Sequence, residues 1–354
     1  MDSDRLLQLA PVSDISRQGG KLMTALKIKS EIVAAMAVIT RLSVPALKAC
    51  CNMLRFSITL VLLGMSVVTM AAGMEPSVAE PSTGGDEKAL SIEEEVLPLP
   101  QTRLFEPLRA DPKEPRFFAS FLSTRSDVRD TTVAAVGFGE DFGVIRRGSG
   151  ADKGWQLGIS AAVFAQFDLK TSSSDLMNAD YIVGIPLTWR NHEWSGRFRV
   201  YHQSSHLGDE YILNAHPDRV NLSYESMEAV FAYDLAEVRL YGGGEYLFHR
   251  EPTDMAQGLA HVGFDWRDEQ PAFRIANLAG AHWVAGVDIK RWLQSGWAVQ
   301  FSAKAGLEFA PNTAQRNSSR RWSVLMEYFD GPSPYGQFYR DDLQYIGLAV
   351  QLGL

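Results

Sequence analysis

One stretch of the chain decides its fold class: Trp297-Ala298-Val299-Gln300-Phe301-Ser302-Ala303-Lys304-Ala305-Gly306-Leu307-Glu308-Phe309. Every odd-numbered position in it is apolar, and the even-numbered positions are mostly small or polar. Since successive side chains of a β-strand point to opposite faces, this period of two predicts a strand with one apolar face. The stretch has 13 residues, more than the ~5–6 of an average strand and enough for the ~9–11 that a tilted strand needs to cross a bilayer.

The same alternation recurs along the rest of the chain after residue 116. It is found near Phe117–Leu122 and Thr132–Phe138 and at Leu157–Phe167, Tyr181–Trp189, Phe198–Ser204, Met227–Tyr233, Val238–Phe248, Ala260–Trp266, Trp283–Ile289, Trp297–Phe309, Trp322–Tyr328 and Ile346–Leu354. A soluble sandwich would point these apolar faces inward, whereas a membrane barrel would point them outward. Because several segments reach membrane-spanning length, we predict an all-β fold, an antiparallel outer-membrane-type β-barrel of about 12 strands.

The opposite faces of the predicted strands carry fixed charges. Arg197, Arg199, Arg239 and Lys304 alternate with apolar neighbours, as expected of side chains in a wet lumen. These cations would tune the passage of small solutes if the bore is open. A barrel of ~12 strands is near the size at which side chains fill the bore, so openness is not implied.

Residues 53–73 have the pattern of a secretory signal peptide. Basic Arg55 precedes the uncharged apolar run Ser57–Met70, and the small residues Ala71-Ala72-Gly73 follow. A spanning helix is the alternative, but this run is shorter than the ~20 residues that such a helix needs. We therefore expect export, with the bacterial outer membrane as the destination.

The remaining boundaries follow from that signal. Because a signal peptide stands at the amino terminus, residues 1–52 are predicted to be a non-native upstream extension. Residues 74–103, which include an acidic run, are predicted to be a flexible acidic leader. Residues 104–354 form the predicted β-barrel domain, with 104–117 running extended into the first strand.

Cysteine content and charge exclude some classes of protein. The only cysteines, Cys50 and Cys51, lie near the front of the chain and cannot form a disulfide framework across it. The net charge of −8 argues against nucleic acid as a partner. No residue pattern identifies a protein partner, a metal or a cofactor.

The densest group of reactive side chains begins at His202. His202 and Ser204 share the parity of apolar Phe198 and Val200, which places both on the outward face near the outer end of a strand. At that spacing an imidazole can take the proton of the hydroxyl. Glu225 has the parity of the apolar face of the next strand and would enter it near the same level.

The His202-x-Ser204 arrangement resembles the catalytic pair of outer-membrane phospholipase A and of lipid A deacylase. These barrel hydrolases hold that pair on the lipid-facing wall. The resemblance implies a lipid acyl-ester hydrolase in which Ser204 is the nucleophile, His202 the base and Glu225 the residue that orients the histidine.

Two other interpretations of this region stay open. In one, Ser204–Tyr211 is a turn, His202 is an interfacial aromatic, and Ser205, His206, Asp209 and Glu210 are loop or binding residues. In the other, His202, His206, Asp209 and Glu210 form a divalent metal site, since these ligand types suit such an ion.

Two stretches carry a wider resemblance. Pro107–Phe117 (PLRADPKEPRF) and Tyr201–Tyr211 (YHQSSHLGDEY), followed by Asn221–Glu225 (NLSYE), resemble the bacterial outer-membrane family known as domain of unknown function 1207, from about Leu97 to the end of the chain. The resemblance implies an envelope barrel and no established activity. We therefore expect an integral outer-membrane barrel that is non-enzymatic, either channel or structural, with outer-membrane lipids and small solutes as its contacts; the alternative is the outer-leaflet lipid hydrolase.

Overall fold

The structure follows the predicted strand pattern closely. It is a computed structural model that describes residues 95–353, apart from 128, 151, 218, 277, 294–298 and 312–320. The predicted extension (1–52), the signal peptide (53–73) and residues 74–94 of the leader lie outside these ranges.

The described ranges contain strands and two short helical segments. The strands are β1 (Glu95–Pro98), β2 (Phe117–Ser126), β3 (Thr131–Ser149), β4 (Lys153–Asp168), β5 (Asp175–Asn191), β6 (Trp194–Leu207), β7 (Leu222–Leu235), β8 (Val238–Glu251), β9 (Gly258–Arg267), β10 (Phe273–Ile275), β11 (Ala279–Trp292), β12 (Val299–Pro311), β13 (Arg321–Pro332) and β14 (Asp342–Gly353). Helix α1 (Asp209–Ala215) follows β6, and a 3-10 turn (Gly336–Phe338) precedes β14. Neither is an apolar helix of the length that crosses a membrane.

All of these strands except β1 and β10 form one closed antiparallel barrel of 12 strands. Each strand pairs with its neighbours along the chain, and β14 pairs with β2 from Leu343 opposite Ser126 to Leu352 opposite Phe117. β1 pairs with the end of β3, and β10 pairs with the start of β11. The predicted barrel of about 12 strands is confirmed.

The apolar face of the barrel points outward. Phe121, Ile185 and Leu348 are 61%, 59% and 61% exposed, whereas Arg197 and Lys304 on the other face are 2% and 4% exposed. A surface of this kind is stable against hydrocarbon and costly against water. The soluble sandwich is therefore excluded, and the chain is a membrane barrel.

The two ends of the barrel differ. The end that we call the terminal end holds Gly353 and the short turns at 192–193 and 236–237. The opposite end, which we call the loop end, holds α1 and the loop at 333–341. The connection between β9 and β11, which contains β10, is longer than the short turns and lies at the terminal end.

The segment before β2 departs from the prediction. We define residues 99–116 as the lumenal segment, because they fold into the barrel instead of running extended into the first strand. Leu104 and Leu108 are fully buried there, and Glu114 is 1% exposed. The last residues of the predicted leader also join the fold, since Glu95–Pro98 is strand β1.

Replacing Leu348 by lysine should test which way the wall faces. The charge would sit in the middle of β14 against hydrocarbon, and we expect the free energy of unfolding to fall by about 2–4 kcal/mol. Denaturant titration in lipid vesicles measures this value. The matched change Leu352→Lys, near the terminal end of the same strand, should cost about 0–1 kcal/mol; equal losses at the two positions would contradict an outward apolar band.

Candidate functional site

His202 on β6 and Glu225 on β7 lie directly opposite each other on the outer wall, near the loop end. His202 Nδ1 is 2.9 Å from Glu225 Oε1, and both side chains are partly exposed. Cross-strand partners have Cβ atoms ~4.5–5.5 Å apart, so the strand register brings the two groups together. Glu225 thus engages one ring nitrogen of His202 and leaves Nε2 for a second contact.

His249 on β8 contacts the other oxygen of the same carboxylate. Its Nδ1 is 2.5 Å from Glu225 Oε2. A bulge interrupts the β7–β8 ladder at this point, between the pairs Glu225–His249 and Ser226–Leu247. Since a bulge adds one residue to a strand, it turns His249 to the outer face although Leu247 is buried. The sequence pattern does not predict this contact.

Ser204 lies two residues from His202 on the same face of β6 and is partly exposed. Directly opposite it on β7 is Ser223. In the part of the chain that the structure describes, the Ser204 hydroxyl makes no side-chain hydrogen bond. Carboxylate, imidazole and hydroxyl thus share one face, which is the combination in which an oriented base activates a hydroxyl nucleophile.

The neighbouring predicted residues do not gather at one point. Ser205 faces the lumen and donates a hydrogen bond to Asp180. His206 faces outward, with its ring 5.9 Å from that of Tyr181. Asp209 and Glu210 are exposed in the first turn of α1.

The structure does not bring the four residues of the predicted metal site together. Across the described ranges, no three His, Cys, Asp or Glu side chains are arranged to hold an ion. His202 forms a hydrogen bond with Glu225, whereas Asp209 and Glu210 lie on a helix beyond the end of β6. The four proposed ligands are divided between the outer wall and the loop end.

The lumenal cations predicted from the sequence all point into the barrel and contact carboxylates. Glu228 accepts from both Arg197 and Arg199, at 2.8 and 2.5 Å. Lys304 Nζ is 3.3 Å from Glu327, and Arg239 is 3.4 Å from Asp265. The charges of the lumen are thus largely neutralised by one another.

The lumenal segment adds its own charges to this network. Glu114 receives two hydrogen bonds from Arg197, at 2.6 and 2.9 Å. At the tip of the segment Asp111 forms a turn by accepting from the Lys113 backbone N–H at 2.9 Å, and its carboxylate also contacts Lys290 Nζ at 2.7 Å. The segment is therefore bonded to strands on different sides of the barrel.

Asp180 on β5 contacts three segments that lie far apart in the sequence. It is fully buried and contacts Lys113 Nζ at 2.6 Å, the Ser205 hydroxyl, and the Gly336 backbone N–H at 3.1 Å. The two sequence stretches around Lys113 and Ser205, which lie far apart in the chain, are therefore joined through one carboxylate. No local pattern marked Asp180 in advance.

The loop at 333–341 covers the loop end. Gln337 donates to the carbonyls of Ser205 and Val220, at 2.7 and 3.0 Å. Arg340 contacts Asp254 at 2.6 Å, and hydrogen bonds from Arg340 and Tyr339 lower the pKa of Asp254. These contacts bind the loop to the rim on two sides.

Comparisons with known proteins give one family match and several distant structural similarities. A model of the family described as "Protein of unknown function (DUF1207)" matches residues 67–354. No curated protein matches the chain. Among solved structures, the β-domain of the Bordetella autotransporter BrkA is 11% identical with a TM-score of 0.34, and the match covers 68% of this chain and 97% of that one.

Two further solved structures show a similar degree of likeness. Pseudomonas aeruginosa OccK11 is 8% identical with a TM-score of 0.28, over 67% of this chain and 94% of that one. A loop-deletion mutant of OmpT, an outer membrane protein of Vibrio cholerae, is 5% identical with a TM-score of 0.26, over 67% and 97% of the two chains.

The Asp180–Lys113 pair can be tested by a double-mutant cycle. Asp180→Asn leaves the Lys113 ammonium buried without its carboxylate, so we expect the free energy of unfolding to fall by about 3–5 kcal/mol. Adding Lys113→Met removes the stranded charge and should restore a large part of the loss. Denaturant titration in detergent measures Asp180→Asn, Lys113→Met and the double variant.

The control for this cycle is Asp254→Asn in the exposed pair with Arg340, where no change in unfolding midpoint is expected because water screens the charges. A double variant no more stable than Asp180→Asn alone would show that the pair is not the cause.

Proposed function

The chain belongs to the DUF1207 family of proteins of unknown function, and we propose that it is an integral barrel of the bacterial outer membrane whose bore is sealed by its own lumenal segment. In this role the protein is a structural, non-enzymatic component of the envelope. Of the two non-enzymatic roles expected from the sequence, a sealed bore favours the structural one over an open channel.

The observation that carries this proposal is the bonding of the lumenal segment to the barrel wall. Arg197 and Asp180 are almost completely buried, and both form ion pairs with the segment, through Glu114 and Lys113. Buried ion pairs hold only when both partners stay in place, because an unpaired buried charge is costly. A solute would have to break several such pairs to pass.

The orientation follows from the lengths of the connections. Outer-membrane barrels have short periplasmic turns and longer outer loops. The turns at 192–193 and 236–237 lie at the terminal end, whereas α1 and the loop at 333–341 lie at the loop end; the link through β10 is a longer connection at the terminal end. We therefore assign the loop end to the cell surface and the lumenal segment to a periplasmic entry.

Conductance in a planar bilayer tests the seal. The wild-type barrel should give no stable conductance steps, because the lumenal segment occupies the bore. The double variant Lys113→Ala/Glu114→Ala removes the contacts with Asp180 and Arg197, and we expect it to give ion-conducting openings. Heat-modifiable mobility on gels should first confirm that both proteins are folded barrels.

The matched control removes a different ion pair. Arg125 and Asp130 form an exposed pair at the loop end, 3.7 Å apart, and the variant Arg125→Ala/Asp130→Ala should remain closed. Steady openings of the wild type, equal in size to those of the Lys113/Glu114 variant, would mean that the barrel is an open channel.

A second candidate function is favoured by the Glu225–His202 contact. On the proposed orientation, this pair and Ser204 face the outer leaflet, whose lipids carry acyl esters. In an ester hydrolase at this site, His202 would take the Ser204 proton as the Ser204 oxygen attacks the acyl carbonyl and the lipid alcohol leaves with a proton. Water would then release the fatty acid from Ser204 with His202 as base, and Glu225 would orient the imidazole.

Acyl release from phospholipid or lipid A in detergent tests this hydrolase. Ser204→Ala should abolish release, with a loss of about 10³-fold or more expected when a covalent nucleophile is removed. Ser223→Ala changes the serine directly opposite on β7 and should leave the rate unaltered. Equal rates in the two variants, or no release by the wild type above a denatured control, would rule out the hydrolase.

A further inference from the structure

A cavity of about 80 Å³ opens between the lumenal segment and the wall at the terminal end of the barrel. Its charged lining consists of four arginines and three glutamates, and the Gln351 amide lies beside them; the arginines are Arg103, Arg109, Arg116 and Arg321. It lies at the opposite end of the barrel from the outer-wall site formed by His202, Ser204 and Glu225, and neither proposed function uses it.

The carboxylates of this cavity are outnumbered by guanidinium groups. Glu308 alone is contacted by three arginines: Arg267 at 2.8 Å, Arg109 at 3.1 Å and Arg321 at 3.5 Å. It is 2% exposed, so water contributes little to screening these charges. One negative charge is thus shared among three positive ones.

The other two carboxylates of the cavity do not remove its excess of positive charge. Glu106 contacts Arg321 at 2.6 Å, and Glu140 pairs with Arg103. Both arginines also line the cavity. Each of these glutamates therefore offsets one cation and leaves the excess around Glu308 in place.

Arg116 adds a further positive charge and, among the described residues, forms no ion pair with a carboxylate. It donates to the backbone carbonyls of Leu108 and Arg109, and to Gln351 Oε1 at 3.1 Å. The nearest glutamate in the sequence, Glu114, is occupied by Arg197. Among the described residues that line the cavity, four guanidinium groups therefore face three carboxylates.

Two donors beside the cavity are also left without acceptors. Within the described ranges, Arg109 Nε and Gln351 Nε2 are buried and make no hydrogen bond. Gln351 is 7% exposed. A buried donor without a partner costs about 1–3 kcal/mol, which a bound acceptor would recover.

We propose that this cavity binds a phosphate group, held by Arg116, Arg109 and the Gln351 amide. An oxyanion would supply negative charge to balance the excess of arginines, and it would supply acceptors for Arg109 Nε and Gln351 Nε2. Guanidinium groups bind phosphate in a bidentate geometry. Free inorganic phosphate and a lipid headgroup at the barrel rim both carry this group. The inference goes beyond the sealed-barrel and hydrolase proposals and depends on neither.

Calorimetric titration of the wild-type barrel in phosphate-free, non-ionic detergent tests the site. One arm uses inorganic phosphate and the other uses short-chain phosphatidylglycerol below its micelle concentration. Saturable one-to-one binding is expected in at least one arm, and the arm that binds identifies the source of the phosphate. Absence of saturable binding in both arms overturns the proposal.

The variant Gln351→Glu separates binding from folding. It keeps the acceptor for Arg116 but gives that arginine a carboxylate and removes the amide donor, so we expect phosphate affinity to fall at least about 10-fold. The matched control is Gln344→Glu, on the outer side of the same strand, which should bind as the wild type does. Unchanged affinity in a folded Gln351→Glu barrel would also overturn the proposal.

Discussion

Closure of the sheet between β14 and β2 is the constraint from which the rest of the structure follows. In hydrocarbon no water is available for backbone N–H and C=O groups, so every strand of a spanning sheet needs a partner on both sides. The pairing of Leu352 with Phe117 through to Leu343 with Ser126 supplies the last set of partners. Once the sheet is closed, one face of every strand contacts lipid and the other faces a narrow lumen. The alternation of apolar and polar side chains along each strand therefore separates the outer surface of the barrel from its interior.

The second consequence of closure is that charges placed inside must be neutralised inside. Arg197 is 2% exposed and is held by Glu228 of the wall and Glu114 of the lumenal segment. The segment is thus part of the electrostatic balance of the lumen. Asp180 extends the same network from the tip of the segment to the loop end through Gly336. In the cavity near Arg116 this balance is incomplete, because arginines outnumber glutamates in its lining.

The outer-wall site shows which features the sequence pattern predicts and which it does not. His202 and Ser204 were assigned to the outer face by parity alone, and the same argument put Glu225 on the outer face of the next strand. The pairing of Glu225 with His202 additionally needs the register between β6 and β7, which is set across a connection containing α1. His249 escaped prediction because the bulge on β8 breaks the strict alternation on which parity depends. The catalytic role of these residues remains a prediction.

The sequence by itself determined the class of fold, the number of strands and the direction in which the apolar side chains point, because a period of two reflects the local geometry of an extended backbone and needs no knowledge of distant residues. Only the tertiary structure decided where residues 99–116 go. A segment with charges and prolines can run extended in water or fold into a lumen, and the choice depends on partners such as Asp180, which lies 67 residues beyond Lys113 in the chain. Contacts at that separation are set by the closed barrel as a whole, so the position of the lumenal segment and the charges beside it depend on the tertiary structure.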